Sequence, residues 1–279
     1  MDAARKLAER ESGKQPFLGV TKSVRGFEWR ERLGGHGRAI ASAISQRHAL
    51  PELLGRVLAG RNVGIDNVEV FLEPSLKALM PDPSDLRDTD RAAARLADAI
   101  GSREKVAVFG DYDVDGACSS ALMARFLQHH GLQPHVYIPD RLFEGYGPNA
   151  KAIEQLIKDG ASLIVTVDCG TTSYEPLAHA KRLGAEVIVI DHHQADEILP
   201  DVHSVINPNR QDDVSGQGHL CAAGVVFLTL VAVARELRRR GHYVDGHTEH
   251  SLMGDLDLVA LATVCDVVPL EGLNRAYVT

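Results

Sequence analysis

Three apolar runs rich in β-branched residues end abruptly in acids or histidines, and this pattern constrains the fold most strongly. The runs cover residues 106–109, 163–167 and 186–190. Short continuous runs of this kind are typical of strands buried on both faces of a parallel sheet. Because open α/β sheets carry their sites at the carboxyl ends of the strands, we expect the following polar residues to converge at one edge. These residues are Asp111, Asp113, Asp115, Asp168, Asp191, His192 and His193.

Segments with helical spacing separate these runs, and shorter apolar stretches at residues 136–139 and 205–207 complete a strand pattern. The helical segments are residues 89–100, for which Thr89 is the predicted N-cap, and residues 117–130, 149–159 and 174–183. This alternation predicts an α/β fold with a doubly wound, mainly parallel five-stranded sheet flanked by helices. A helical segment should follow, made of residues 221–240 and 256–265, with Asp266 at its end.

The first 60 residues are predicted to form an N-terminal arm or helical extension, and residues 61–279 the catalytic domain. Helical spacing runs from residue 39 to residue 58, after a stretch in which Phe17, Phe27 and Trp29 alternate with Lys and Arg. Such interleaving can bind single-stranded nucleic acid. Packing of these aromatic residues on a core is the favoured alternative.

Charge and composition limit the classes of function. The chain has a net charge of −8, with +5 in residues 1–60 and −13 in the remainder. An acidic body argues against a broad surface for nucleic acid, whereas divalent cations among the clustered Asp residues would cancel part of the charge. Residues 1–12 show no secretory signal, the longest apolar stretch is too short for a bilayer, and the four Cys are scattered, so a cytoplasmic protein without membrane contact is expected.

The clustered acids and histidines predict a metal site. A lone Asp-x-Asp loop is usually a solvated turn or a helix cap, and a lone His-His pair is an equally weak signal. Together at one sheet edge, unneutralised carboxylates would repel one another, so divalent cations are the simplest explanation. Carboxylate oxygens suit Mn²⁺ and Mg²⁺, and a carboxylate shared between two ions is typical of enzymes that hydrolyse phosphate esters.

Five segments of the chain have the form of known family motifs. They are residues 111–116 (DYDVDG), 168–170 (DCG), 191–193 (DHH), 219–227 (HLCAAGVVF) and 258–275 (LVALATVCDVVPLEGLNR). These segments resemble the DHH phosphoesterase superfamily and, within it, the RecJ family of single-strand-specific exonucleases. The resemblance covers about residues 65–279 and implies a 5′→3′ exonuclease that hydrolyses single-stranded DNA to mononucleotides with two Mn²⁺ or Mg²⁺ ions.

The resemblance also implies roles for individual residues. Asp168 would bridge the two ions, and Asp111 would be a further ligand or lie just behind the ligands. Many members of the superfamily carry a His where this chain has Phe109. The metal ligands implied by the resemblance are Asp113, Asp115, Asp168, His192 and Asp266.

Substrate contacts are implied for a second set of residues. His193 would hydrogen-bond the scissile phosphate or protonate the leaving oxygen, or else orient its neighbours, while Asp191 holds a histidine. Arg141 is expected to clamp a phosphate, and Gly116 to let the backbone approach the substrate. Asn207 and Arg210 are weaker candidates for the same groove.

Two alternative functions remain open from the sequence. One is a phosphodiesterase for short oligonucleotides or cyclic dinucleotides, and the other is a catalytically inactive DHH scaffold protein. RecJ proteins continue into a DHH-associated domain and an OB-fold, so this chain is expected to be the catalytic part of a longer protein. Single-strand-binding protein is an expected partner, through that further region.

Overall fold

The computed structural model describes residues 16–244 and 246–279 and divides the chain into two compact units, Met1–Glu73 and Pro74–Thr279. Residues 1–15, the first part of the predicted arm, lie outside the described residues. In the described parts of the chain, no helix combines the length and the apolar character needed to cross a membrane.

The first unit is helical. Its helices are α1 (Gly35–Arg47), α2 (Glu52–Gly60) and α3 (Val68–Leu72). The helical spacing predicted over residues 39–58 is confirmed in two helices with a break between them, because Pro51 has no N–H to continue α1 and becomes the N-cap of α2. Phe27 and Trp29 expose 68% and 48% of their surface, so they do not pack on a core as expected. Phe17 is half-buried and contacts the Arg56 guanidinium.

A five-stranded parallel sheet forms the centre of the second unit, which confirms the predicted fold class. The strand order is β2-β1-β3-β4-β5, and every neighbouring pair is parallel. The strands are β1 (Val106–Gly110), β2 (His135–Tyr137), β3 (Leu163–Val167), β4 (Glu186–Ile190) and β5 (Ser204–Ile206).

Helices cover both faces of this sheet. Alternate strand residues point to opposite sides, so that Val108 and Val165 join one hydrophobic cluster with α6 and α9, while Phe109 and Ile164 join another with α7 and α8. The helices are α4 (Leu76–Leu79), α5 (Thr89–Ser102), α6 (Val114–His129), α7 (Ala150–Lys158), α8 (Tyr174–Arg182), α9 (Ala222–Arg239), α10 (Leu256–Cys265) and α11 (Gly272–Val278).

The start of α5 differs from the prediction. Asp88, not Thr89, occupies the N-cap position, and it adopts a left-handed conformation with φ +64°. Its carboxylate accepts hydrogen bonds from the Val205 N–H and from the Arg210 guanidinium instead of capping the helix. A contact with distant residues therefore overrides the local capping signal.

Candidate metal centre

The carboxyl ends of β1, β3 and β4 lie side by side at the point where the strand order reverses. Gly110 pairs with Val167, and Val167 pairs with Ile190, so the next residues along these strands are neighbours. The three strands thus deliver Asp111, Asp168 and Asp191 to one edge of the sheet, as predicted. Such a switch point leaves a crevice between diverging loops.

Asp168 is the most constrained residue of this edge. It is 1% exposed and has a left-handed backbone with φ +61°, which is uncommon for any residue except glycine and tolerated by Asp. Its Oδ1 atom accepts no hydrogen bond from the residues that the structure describes. Burial raises the pKa of Asp168 well above its ordinary value, and the neighbouring carboxylates of Asp115 and Asp113 add to that rise.

His192 faces three carboxylates. Its Nδ1 atom lies 3.1 Å from the Leu220 carbonyl oxygen, which can only accept, so Nδ1 carries the proton. The Nε2 atom is then a lone-pair donor, 3.3 Å from Asp168 Oδ1, 3.7 Å from Asp115 Oδ2 and 3.8 Å from Asp266 Oδ2. This arrangement of one imidazole and several carboxylate oxygens is that of a metal ligand with its outer partner in place.

Asp115 is held by the N-terminus of α9. Its two oxygens accept hydrogen bonds from the Ala222 N–H at 2.6 Å and the Ala223 N–H at 2.8 Å. Burial raises its pKa, and these backbone hydrogen bonds oppose the rise. Asp266 follows the last residue of α10 and is partly exposed, and burial also raises its pKa.

The other end of the centre is formed by the loop between β1 and α6. Asp113 caps α6 by accepting the Gly116 N–H at 2.9 Å, whereas Asp111 is 4% exposed and its Oδ1 lacks a partner among the described residues. Burial raises the pKa of Asp111. Phe109 is fully buried and stacks on the Tyr137 ring, so this position contributes apolar packing and no ligand atom.

His193 is held from several sides. Its Nδ1 lies 2.8 Å from Asp191 Oδ1, and this hydrogen bond raises the pKa of His193. Burial alone would raise the pKa of Asp191, but the hydrogen bonds from His193 and Thr171 outweigh it and keep that pKa well below its ordinary value. The ring of His193 remains 48% exposed, so it faces the crevice.

Tyr146 and Asn207 support this arrangement in ways that the sequence did not predict. The Tyr146 hydroxyl donates to the Asp168 carbonyl at 3.1 Å and lies 3.3 Å from His193 Nδ1. Asn207 is fully buried and donates to the His193 carbonyl at 2.8 Å and to Thr171 Oγ1 at 2.9 Å. The sequence signal for the role of Tyr146 was its position between two glycines, Gly145 and Gly147. Both glycines have positive φ in the structure.

Asn207 and Arg210 do not line the groove as suggested. The Asn207 amide donates to His193 in the loop after β4 and to Thr171 in the loop after β3. Arg210 has a side chain only 9% exposed and is paired with Asp88 and Asp212. Both residues therefore stabilise loops, because their polar groups are already bonded inside the protein.

Arg141 and Gly116 both approach the loop between β1 and α6. The Arg141 guanidinium carbon lies 5.2 Å from the centroid of the Tyr112 ring, in a cation–π contact. Gly116 is required for packing, since a Cβ atom there would lie 2.6 Å from the Asp111 carbonyl oxygen. That close approach holds Asp111 against the first turn of α6.

The donor atoms fit divalent cations. Two buried carboxylate oxygens, on Asp111 and Asp168, lack hydrogen-bond partners within the described parts of the chain, as expected where a cation completes the bonding. Three sets of side chains bring ligand atoms within 4.8 Å of one another. They are Asp111, Asp113 and Asp168; Asp168, His192 and His193; and Asp115, His192 and Asp266.

Comparison with known proteins gives consistent matches. The family model described as "DHH family, N-terminal domain" matches residues 105–263. The single-stranded-DNA-specific exonuclease RecJ of Salmonella typhimurium is 39% identical over 228 residues, which are 81% of this chain and 39% of the relative. The RecJ of Bacillus subtilis is 35% identical over 248 residues, which are 86% of this chain and 29% of the relative.

A solved structure shows the same fold. The RecJ of Thermus thermophilus in complex with Mn²⁺ superposes with a TM-score of 0.67 at 29% identity, covering 86% of this chain and 32% of that chain. This chain thus spans well under half the length of the curated relatives it matches. Since the family model covers more than half of the chain, the protein belongs to the DHH family.

Proposed function

We propose that this chain is the catalytic part of a metal-dependent exonuclease that degrades single-stranded DNA in the 5′→3′ direction to mononucleotides. The observation that carries the proposal is the position of Asp168. This residue belongs to two of the donor sets, and its buried Oδ1 has no hydrogen bond from the described residues. A carboxylate in that position can be shared by two cations.

Two Mn²⁺ or Mg²⁺ ions would be held by the carboxylates and one imidazole of the centre. Asp168 would be the shared ligand, and Asp111 would complete one set because Phe109 offers no donor. When bound, such ions supply the Lewis acid that polarises a phosphate and makes water nucleophilic at neutral pH. The proposed ligands are Asp111, Asp113, Asp115, Asp168, His192 and Asp266.

The chain's own residues would bind and orient the substrate. His193, held through Nδ1 by Asp191, presents Nε2 to the crevice, where it would donate a proton to a phosphate oxygen or to the leaving oxygen. Arg141 would hold a further phosphate from the rim, while its stacking on Tyr112 limits the motion of its long side chain. Asp191 is a positioning residue for His193.

The substrate of the proposal is taken from the relatives, and the partner from the family resemblance. Two of these relatives are named as single-stranded-DNA-specific exonucleases, and the polarity follows from the family resemblance. We assign the protein to the cytoplasm. We also propose single-strand-binding protein as its partner. In this proposal the cations offset part of the acidic charge of residues 61–279, so that a phosphate backbone can approach.

Hydrolysis of a single-stranded oligonucleotide in Mn²⁺ tests the proposal, with the label at the 5′ end in one sample and at the 3′ end in another. Wild type should release a labelled mononucleotide at once from the 5′-labelled strand and only late from the 3′-labelled strand. Asp168→Asn should be inactive, because it lacks the shared carboxylate. Asp159→Asn, which changes a carboxylate outside the donor sets, is the matched control and should behave as wild type.

Other outcomes would change the assignment. Immediate release from the 3′-labelled strand would reverse the polarity. Activity on a dinucleotide without activity on longer strands would favour a short-oligonucleotide phosphodiesterase. Mn²⁺ binding measured by calorimetry, without hydrolysis of any of these substrates, would favour a scaffold protein.

A further inference from the structure

Two large apolar side chains project into solvent beside the metal centre. Leu142 and Phe143 lie in the loop between β2 and α7 and expose 86% and 87% of their surface. Single exposed apolar residues are common, but an adjacent pair with this exposure, next to a functional centre, is typical of a binding element.

Hydrogen bonds give this apolar tip, Leu142 and Phe143, a defined conformation. Asp140 Oδ1 accepts the Leu142 N–H at 2.8 Å and the Phe143 N–H at 3.2 Å. The Asp140 N–H donates to Glu144 Oε2 at 2.8 Å, and the Tyr137 hydroxyl donates to the same carboxylate. The apolar tip is therefore presented by a built turn, and ordering on binding would cost little.

The residues around the apolar tip connect it to the centre. Arg141 lies over the Tyr112 ring at 5.2 Å, Tyr112 meets Tyr146 edge-on at 6.5 Å, and Tyr146 meets His193 at 5.8 Å between ring centroids. Phe143 precedes Tyr146 by three residues, so their Cα atoms are at most about 11 Å apart. A row of flat groups thus leads from the apolar tip to the histidine of the centre.

We propose that Leu142 and Phe143 form a stacking platform for unpaired nucleobases of the substrate, an inference that rests on the proposed function. Aromatic side chains next to an Arg are the usual means by which proteins hold bases of single strands. The apolar tip is flanked by Asp140, Arg141 and Glu144, whereas the centres of protein interfaces are depleted of charge. In a duplex the base faces are already stacked, so such a platform would select single strands.

Binding of a single-stranded oligonucleotide that contains 2-aminopurine and phosphorothioate linkages, which resist hydrolysis, tests the platform in Mg²⁺. The variants are Leu142→Ala/Phe143→Ala, Phe143→Trp and, as control, Leu183→Ala, which removes an exposed leucine between α8 and β4, at the opposite edge of the sheet. Wild type should quench the 2-aminopurine fluorescence by stacking. The double variant should bind about 10-fold more weakly and lose the quenching, while Phe143→Trp and the control retain both.

The steady-state parameters in Mn²⁺ give a second measurement, in which the double variant should raise KM about 10-fold. Equal quenching in wild type and the double variant, or no quenching in either, would overturn the platform even if wild type hydrolyses the strand. Apolar-tip-dependent quenching without hydrolysis would retain the platform and overturn the proposed nuclease. Self-association of wild type in sedimentation, lost in the double variant with quenching unchanged, would assign the apolar tip to contacts between copies.

Discussion

The Nδ1 atom of His192 lies 3.1 Å from the carbonyl oxygen of Leu220. This contact selects the tautomer that leaves Nε2 free to face Asp168. Leu220 lies two residues before α9, whose first N–H groups hold Asp115. One short segment of chain therefore orients an imidazole and a carboxylate of the same centre, so we expect the ligands to be arranged before any cation binds.

Asp168→Asn should stabilise the metal-free protein by about 1 kcal/mol. On folding in EDTA, the buried Asp168 carboxylate must take up a proton or remain charged without a hydrogen bond from a described residue at Oδ1, and an amide avoids both costs. Asn also tolerates the left-handed backbone at this position. Urea unfolding in EDTA measures the effect. At 100 times the Kd for Mn²⁺, wild type should gain about 3 kcal/mol and the variant clearly less, because only the donor set of Asp115, His192 and Asp266 remains complete. A variant that gains as much as wild type would show that Asp168 is not a ligand.

Asp115→Asn should have the opposite effect on stability from Asp168→Asn. It should lower the free energy of unfolding in EDTA by about 1–2 kcal/mol. Asp115 accepts two N–H groups of α9 with two oxygens, and an amide has one oxygen to offer. The same urea experiment gives the order Asp168→Asn, wild type, Asp115→Asn. Equal stability of the two variants would contradict the different environments of these carboxylates.

Gly116→Ala should lower the free energy of unfolding by about 3 kcal/mol. The new Cβ would lie 2.6 Å from the Asp111 carbonyl oxygen and would displace that residue. Gly101→Ala is the matched control inside α5, where a Cβ meets nothing within 4 Å. This variant should have a free energy of unfolding about 1 kcal/mol higher than wild type, because alanine favours a helix more than glycine does. Thermal unfolding of both variants measures the contrast. A tolerated alanine at position 116 would mean that the close approach to Asp111 is not required.

Asn207→Ala should lower the free energy of unfolding by about 3 kcal/mol, since it leaves several buried groups without partners. The loop that carries His193 should also loosen, and calorimetry should show weaker Mn²⁺ binding. Val214→Ala, at an exposed residue of the following loop, should change neither quantity. Unchanged Mn²⁺ affinity in Asn207→Ala would limit Asn207 to a role in stability.

Stability should fall on acidification through the pKa of His130. Burial lowers the pKa of this residue to about 4, and the nearby His129, His242 and His250 add to the effect. An unfolded chain binds the proton near pH 6.5 and the folded protein does not, so this stability is complete above about pH 6.5 and is lost towards pH 4. His130→Gln should reduce the slope of the free energy of unfolding against pH in that window only. Equal slopes for wild type and His130→Gln would refute the assignment of this pH dependence to His130.

The sequence predicted the sheet and the convergence of acids well, because continuous β-branched runs indicate buried parallel strands and their ends carry the polar groups. Asp111, Asp168 and Asp191 follow directly from that logic. The prediction failed at Thr89, where Asp88 takes the cap position because of contacts with Val205 and Arg210. Capping rules consider neighbours in sequence, and these partners are distant.

The supporting residues were not predictable for the same reason. Asn207 acts through backbone groups of a different loop, and nothing in its neighbourhood in the sequence indicates this. Tyr146 is tied to the Asp168 carbonyl across two elements. The close fit of Gly116 against Asp111 likewise depends on how the loop between β1 and α6 folds back, which a residue pattern does not specify.

The donor groups come from segments spread over the chain, from the loop after β1 to Asp266 at the end of α10. During synthesis the ribosome releases Asp266 and the turn before α9 long after the first acids. A nascent chain that has emerged only through β4 therefore lacks both the carboxylate of Asp266 and the carbonyl that orients His192. The full set of ligands can assemble only after α10 has left the ribosome, so the complete centre cannot bind cations before that point.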